Sequence, residues 1–506
     1  MVFSTSTHPS APSTASIDID GPPDLVYKGV YVANKPDNTL WDVAFKNGHI
    51  SALDEHKVPD QEHITEKHHD GDHHRGTKFL CPSLCHPHIH LDKCFLLSHP
   101  KYSDLEIKDG DFAEAMKLTS EAKRRYEVDD LIERGQALIE ESIELGVTHM
   151  RAFVEVDLVV QMKCLDAGLA LKEKFQDRIY MQICVFAQDP IVSYGDNGKA
   201  MMELLEVAAN RHGVSCFGST PYVEKDGDRI KQLANIEFAI KTAMRCKLHL
   251  DFHIDYNLDP NQPSMVGETI ELLHKMKWPT DCNEHLYRSI IFSHCSRLTL
   301  FSQHEWLELR RKILGLPVSF IGLPNSDLFM MGRPGKEDVE QTTQRVRGTL
   351  QVLDIIQRYA MNAAIGINNV GNAFTPHGSC DPLSLASFGV GVYQASTKKE
   401  LALMLQCVSH RAKTAIGIRL TIANEIDIDV GDEAHFIIFG NENPSRPFRT
   451  RKTIQDVVCD PSRDRTTIYK GKVVSNTSRE SAGIGSCALR GYGESLILSL
   501  DASRAG

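Results

Sequence analysis

The chain of 506 residues is 42% hydrophobic and 24% charged, with a formal net charge of −11 at pH 7. That length supports more than one structural unit, because single cores stop growing near ~250–300 residues. An acidic balance without a basic tract argues against nucleic acid or an anionic membrane as partner, and no apolar run approaches the ~20 residues of a membrane span.

Residues 1–22 are rich in Ser, Thr and Pro and lack an apolar leader core, which predicts a disordered tail on a cytoplasmic protein. The 13 cysteines are expected to be reduced core residues. Residues 23–78 read as β-strands, with Asn47-Gly48 as a hairpin turn, followed by a polar insert carrying His56, His63, His68, His69, His73 and His74. From residue 79 to 418 strands and helices alternate. The predicted strands are Phe79–Leu84, Thr148–Val156, Ile179–Phe186, Val214–Ser219, Leu248–His253, Ser289–His294, Val318–Ile321 and Ala363–Ile367. Amphipathic segments between them include Asp129–Leu145, Ala200–Asn210, Ile230–Ala243, Val266–Lys277 and Gln344–Tyr359, with a further helical stretch over Lys398–Ile416. Eight strand–helix units predict an α/β fold, a (β/α)8 TIM barrel. Residues 419–475 return to β structure, so a small β-sandwich is expected to be built from both chain termini, and residues 476–506 read as a poorly ordered tail.

Chemistry concentrates where the predicted strands end. His88-Ile89-His90 closes an apolar run, and residues i and i+2 of a strand share a face, so both imidazoles can converge on one metal ion. His253 ends the fifth predicted strand, His294 the sixth, and Asn368 follows the eighth. Active sites of parallel barrels lie at this C-terminal face. Four histidines from three strands there predict a metal pocket.

The motifs Pro87-His-Ile-His-Leu-Asp92, Val185-Phe-Ala-Gln188, Asp251-Phe-His-Ile-Asp255, Ser293-His294, Gly366-Ile-Asn-Asn-Val370 and Asp381-Pro-Leu383 together resemble the amidohydrolase superfamily of metallo-dependent hydrolases, within it the cytosine deaminase branch. The resemblance spans Leu25 to Val474. It implies one divalent metal, zinc or iron, held by His88, His90 and His253. It also implies hydrolytic chemistry on a non-peptide C–N bond of a small molecule, either deamination or hydrolysis of an amide or cyclic amidine. His294 is expected at the reacting centre, and Gln188, with Asn368 and Asp381, in substrate binding.

Two acids of the family pattern are replaced here: its glutamate falls on Tyr256 and its metal-binding aspartate on Asn368. Each such group is worth ~10²–10⁴ in rate. Three readings follow: a hydrolase with substitute groups, among them His294, Tyr256 and Asp255; a non-hydrolytic lyase, isomerase or cyclase; or a binding protein without catalysis. Lys93, Cys94, Phe153, Tyr222, Phe329, Met330, Met331 and Phe374 are candidates for the pocket wall. The expected partner is a small molecule, and a homo-oligomer is compatible with the sequence.

Overall fold

The computed structural model describes residues 21–57, 78–280, 287–332, 346–418, 426–440 and 449–477. The predicted N-terminal tail up to residue 20, the insert between 58 and 77 and the tail beyond 477 lie outside the described residues.

In chain order the strands are β1 (Leu25–Val32), β2 (Trp41–Lys46), β3 (His49–Glu55), β4 (Phe79–Pro82), β5 (Leu84–His90), β6 (Val147–Glu155), β7 (Tyr180–Ala187) and β8 (Val214–Ser219). They continue with β9 (His249–Ile254), β10 (Ile290–His294), β11 (Val318–Gly322), β12 (Asn362–Ile365), β13 (Phe436–Phe439), β14 (Arg465–Tyr469) and β15 (Lys472–Asn476). Strands β5 to β12 pair in sequence order, each parallel to the next. The ring is closed by the backbone of Asn368, just beyond β12. Its carbonyl accepts from His90 N at 2.8 Å and its own N–H donates to His88 O at 3.1 Å. This is the predicted (β/α)8 barrel, and its seam runs through the candidate site.

The remaining strands form one seven-stranded mixed sheet in the order β15-β14-β13-β4-β1-β2-β3. Its free edge returns to the segment before β13, where Ile50 exchanges backbone hydrogen bonds with Gly431 and Asp432 at 2.9 Å. Across the resulting interior the Phe45 and Phe436 rings lie 5.8 Å apart. The predicted terminal β unit therefore takes the form of a single curled sheet with strands from both ends of the chain. Its β2–β3 turn has positive φ at both Asn47 (50°) and Gly48 (79°), the type I′ geometry that an Asn-Gly pair favours.

One predicted strand divides. Phe79–Leu84 was expected to open the barrel as a unit, yet Phe79–Pro82 pairs with β1 and β13 in the terminal sheet. Ser83 donates its N–H to His435 O at 3.0 Å, and Leu84 donates to Gly146 O at 2.9 Å, so the chain passes from one sheet to the other within two residues.

Most predicted helices match to within a few residues, for example Val128–Glu144 and Arg229–Cys246. The Lys398–Ile416 stretch forms two helices, Lys398–Cys407 and His410–Ala415. The first starts with a capping box of Thr397 and Glu400. The last predicted barrel segment is helical over Val352–Tyr359 only. An additional helix, Phe112–Lys123, is capped by Asp111, whose carboxylate accepts from Glu114 N at 2.8 Å. Among the described residues no helix is long and apolar enough to cross a membrane.

Candidate metal centre and pocket

His88 and His90 from β5 and His253 from β9 each bring a ring nitrogen within 4.8 Å of the other two. His90 Nε2 and His253 Nε2 face each other at 3.2 Å. All three rings are buried, and burial holds their pKa well below the ordinary histidine value, so the lone pairs stay available. His88 Nε2, His90 Nδ1, His253 Nδ1 and Asn368 Oδ1 are buried without a hydrogen-bond partner. The ring nitrogens that converge belong to neutral, desolvated imidazoles, a donor set that suits a divalent cation.

The opposite edges of these groups are fixed. His88 Nδ1 lies 3.0 Å from Ser293 Oγ, which donates to Asp251 Oδ1 at 3.0 Å. This chain sets the His88 proton on Nδ1 and leaves Nε2 as the ligand atom. Asp251 is held in turn by Arg151 Nη1 at 3.0 Å, while burial pushes its pKa up to about 6. The Asn368 amide donates Nδ2–H to Ser326 Oγ at 2.8 Å, turning Oδ1 the other way. Asn368 holds a left-handed backbone at φ 67°, costly for a non-glycine residue, because its two backbone hydrogen bonds close the barrel.

His294, also left-handed at φ 67°, places Nδ1 2.8 Å from Asp327 Oδ1. Asp327 is fully buried and accepts from Thr349 Oγ1 at 2.6 Å, so it remains an acceptor for the His294 N–H. The His294 ring lies 5.2 Å from the ring of His253 and 4.0 Å from that of Tyr256. Asp327 carries no motif signal of its own. It becomes visible only when the helix Pro324–Met330 folds back onto β10.

Tyr256, Gln188, Asn368, His90, His253 and His294 line one pocket. Of the predicted wall residues Tyr222 and Phe374 do so as well, joined by Phe112, Met116, Phe186 and Thr220, none of which was predicted. Phe153 lies beneath, its ring 4.1 Å from that of His88, and Cys94 points away to donate to Leu91 O. The enclosed space is about 30 Å³, room for a water molecule and little more.

Two predicted site residues lie elsewhere. Asp255 turns its carboxylate to Ser264 Oγ and Met265 N, where it secures the turn that follows β9. Asp381 caps the helix Pro382–Val392 and forms a bidentate pair with Arg465 at 2.8 and 2.6 Å, tying the barrel to the terminal sheet. Burial works against this carboxylate, but Arg465 more than offsets it and keeps the pKa below the ordinary value. Conversely, Lys93, expected only as part of an apolar wall, contacts both Glu155 and Gln188 Oε1 with its ammonium. Burial disfavours the Glu155 carboxylate, yet Lys123, at 2.9 Å, and Lys93 together hold its pKa down to about 2.

The architecture is a (β/α)8 barrel joined to a β sheet assembled from both termini. No family model matches the chain, and no curated protein does. Among solved structures it resembles the 5-methylcytosine deaminase of Klebsiella pneumoniae liganded with 5-fluorocytosine, with a TM-score of 0.70 at 19% identity, over 89% of this chain and 97% of that one. The N-isopropylammelide isopropylaminohydrolase of Burkholderia multivorans follows at 0.65 and 18%, over 90% and 99%. A zinc-bound adenosine deaminase of Xanthomonas campestris superposes at 0.56 and 16%, over 90% and 94%. At these identities the likeness establishes a shared fold.

Proposed function

We propose that this chain is a hydrolase acting on a non-peptide C–N bond of a small molecule, by deamination or by amide or cyclic amidine hydrolysis. One divalent metal, zinc or iron, is held by His88, His90 and His253, with Asn368 Oδ1 as fourth donor. The observation that carries this reading is the convergence of three buried, neutral imidazoles, each with a ring nitrogen within 4.8 Å of the other two, for which a cation is the natural complement. Fold neighbours that include two nucleobase-type deaminases and a zinc-bound adenosine deaminase support it.

When present, the metal supplies Lewis acidity toward water and toward the carbon of the C–N bond. The protein supplies the proton handling. His294 Nε2 is the acceptor that faces the pocket, since Nδ1 is committed to Asp327. Asp327 orients the imidazole and stabilises the imidazolium formed when His294 takes a proton from water. Returning that proton to the leaving nitrogen completes the cycle. Tyr256, its ring tilted 41° against that of His294, has its hydroxyl 3.5 Å from Ser326 O and is held protonated by burial, so it acts as a donor and packing surface rather than as a base. Gln188 positions the substrate from the opposite wall.

The same pocket on a lyase, isomerase or cyclase is the second reading, favoured by the replacement of both family acids. The test is metal analysis of purified protein with His88→Ala and His253→Ala, followed by ammonia or amine release in H₂¹⁸O across heterocyclic amines, amides and cyclic amidines. Stoichiometric metal lost in both variants, with ¹⁸O in the product, is expected. Turnover without ¹⁸O incorporation overturns hydrolysis in favour of the second reading, and metal-free protein without turnover overturns both.

A further inference from the structure

Beyond the reaction class, the pocket specifies the charge of what it binds. Among the described residues no Asp or Glu lines it. The carboxylates behind its wall are paired: Glu155 with Lys93 and Lys123, Asp157 and Asp189 with Lys123, and Asp327 with His294 and Thr349, while Asp92 accepts from Glu155 N. Every expected metal ligand is neutral, so a divalent charge at the centre is not offset by its own donors.

Gln188 adds a directional constraint. A lysine ammonium can only donate hydrogen bonds, so the side-chain oxygen of Gln188 must be the atom that faces Lys93. The amide orientation, often ambiguous, is therefore fixed here. Nε2 is turned to the pocket wall, with only the weak acceptor Met116 Sδ at 3.5 Å. Gln188 thus offers a donor and no acceptor. Lys93 is itself anchored by Glu155, and its Nζ lies 5.8 Å from the ring centres of Phe186 and Phe374, both pocket walls. The walls restrict shape as well: Phe112 stands edge-on to Tyr222 and Tyr256 at 6.4 and 6.1 Å and is tilted against Phe374 at 5.8 Å.

We infer that the substrate is a planar ring carrying a delocalised negative charge, and that Gln188, oriented by Lys93, reads it through its N–H. A neutral lactam that must give its N–H to the glutamine and take one back finds only half of that pair. This inference rests on the proposed pocket being the substrate site. Lys93, which stands behind the pocket wall with its charge paired to Glu155, acts in it as a positioning residue through the orientation it imposes on Gln188.

The test is calorimetric binding of three rings of matched size, nicotinate, nicotinamide and 3-(aminomethyl)pyridine, to zinc-loaded and metal-free protein. Nicotinate is expected to bind about tenfold or more tighter than nicotinamide, the scale of one added charge contact, with the cation weakest. Part of this preference persists without metal. Lys93→Met and, because that change disturbs Glu155, separately the isosteric Gln188→Glu should each bring the two affinities close together. Equal or tighter binding of the neutral or cationic ring, no binding of nicotinate, or an anion preference unaltered by both substitutions overturns the inference. Metal content and C–N turnover measured on the same preparations separate the two claims. Anion binding without hydrolysis sinks only the reaction, and hydrolysis of neutral or cationic rings without anion preference sinks only the substrate class.

Discussion

Two buried polar systems of the barrel, which meet on β9 at Asp251 and His253, differ in how their polar atoms are met. In the barrel interior Arg151 donates to Gln182 Oε1 at 3.0 Å, Asp251 at 3.0 Å, Ser289 Oγ at 3.2 Å and Ile416 O at 3.3 Å. At the strand ends above it, three buried imidazoles converge within 4.8 Å with no counter-charge among them, and Asn368 Oδ1 is unpartnered. The interior system is closed and reads as architecture. The upper one is open in the same dry surroundings, where an unmet polar atom is costly, and it reads as a site awaiting a ligand. Ser293 joins them, contacting His88 on one side and Asp251 on the other.

The comparison breaks most directly at the ligands. His253→Ala is expected to abolish stoichiometric metal and C–N turnover while leaving unfolding of the metal-free protein nearly unchanged, as checked by elemental analysis and denaturant titration. Arg151→Met should do the reverse. With Asp251 left as an uncompensated buried charge, a loss of about 3–5 kcal/mol in stability is expected from equilibrium unfolding. If His253→Ala proves the more destabilising of the two, the division into open site and closed architecture fails.

Smaller changes sharpen the boundary. Asp327→Asn keeps the shape beside His294 but removes the charge that stabilises its imidazolium, so kcat should fall by ~10²–10⁴ with metal content intact. Ser293→Ala, at the junction, is expected to weaken metal affinity by about 10–100-fold. A competition titration with a chelator measures this, and an unchanged affinity would remove Ser293 from the metal's supporting shell.

The same distinction explains what was legible in the sequence. Histidines at strand ends could be read because strand periodicity and the barrel rule assign them a common face, and the structure brings His88, His90, His253 and His294 together. Asn368 and Gln188 were readable from motifs tied to the same strands. Lys93, Glu155 and Asp327 were not read as a charge network, because their partners are 62, 95 and 33 residues away and only tertiary packing pairs them. Asp255 and Asp381 carried motif signals, yet their carboxylates serve a turn and a helix cap with Arg465. Acids at element ends have capping as a competing role, and spacing does not separate the two. The wall from Phe112 and Met116 escaped because their helix is an additional one, inserted between β5 and the helix Val128–Glu144 outside the one-strand, one-helix alternation.

The mildest test concerns a histidine outside the metal group. His86 is buried in β5 with Nε2 3.2 Å from Ser142 Oγ, and burial lowers its pKa to about 4, with Asp381 acting weakly in the other direction. In the unfolded chain the same ring titrates near ~6.5. The neutral form is therefore favoured by folding: its stabilisation is complete above about pH 6.5 and is lost as pH falls toward 4, because the unfolded chain takes up the proton first. Between pH 7 and 5 that amounts to about 2 kcal/mol for this one group. Denaturant unfolding of metal-free protein should register the loss, and His86→Gln should reduce the slope without altering metal content at pH 7. A variant that instead loses metal would place His86 with the open site above it rather than with the closed interior to which its serine partner assigns it.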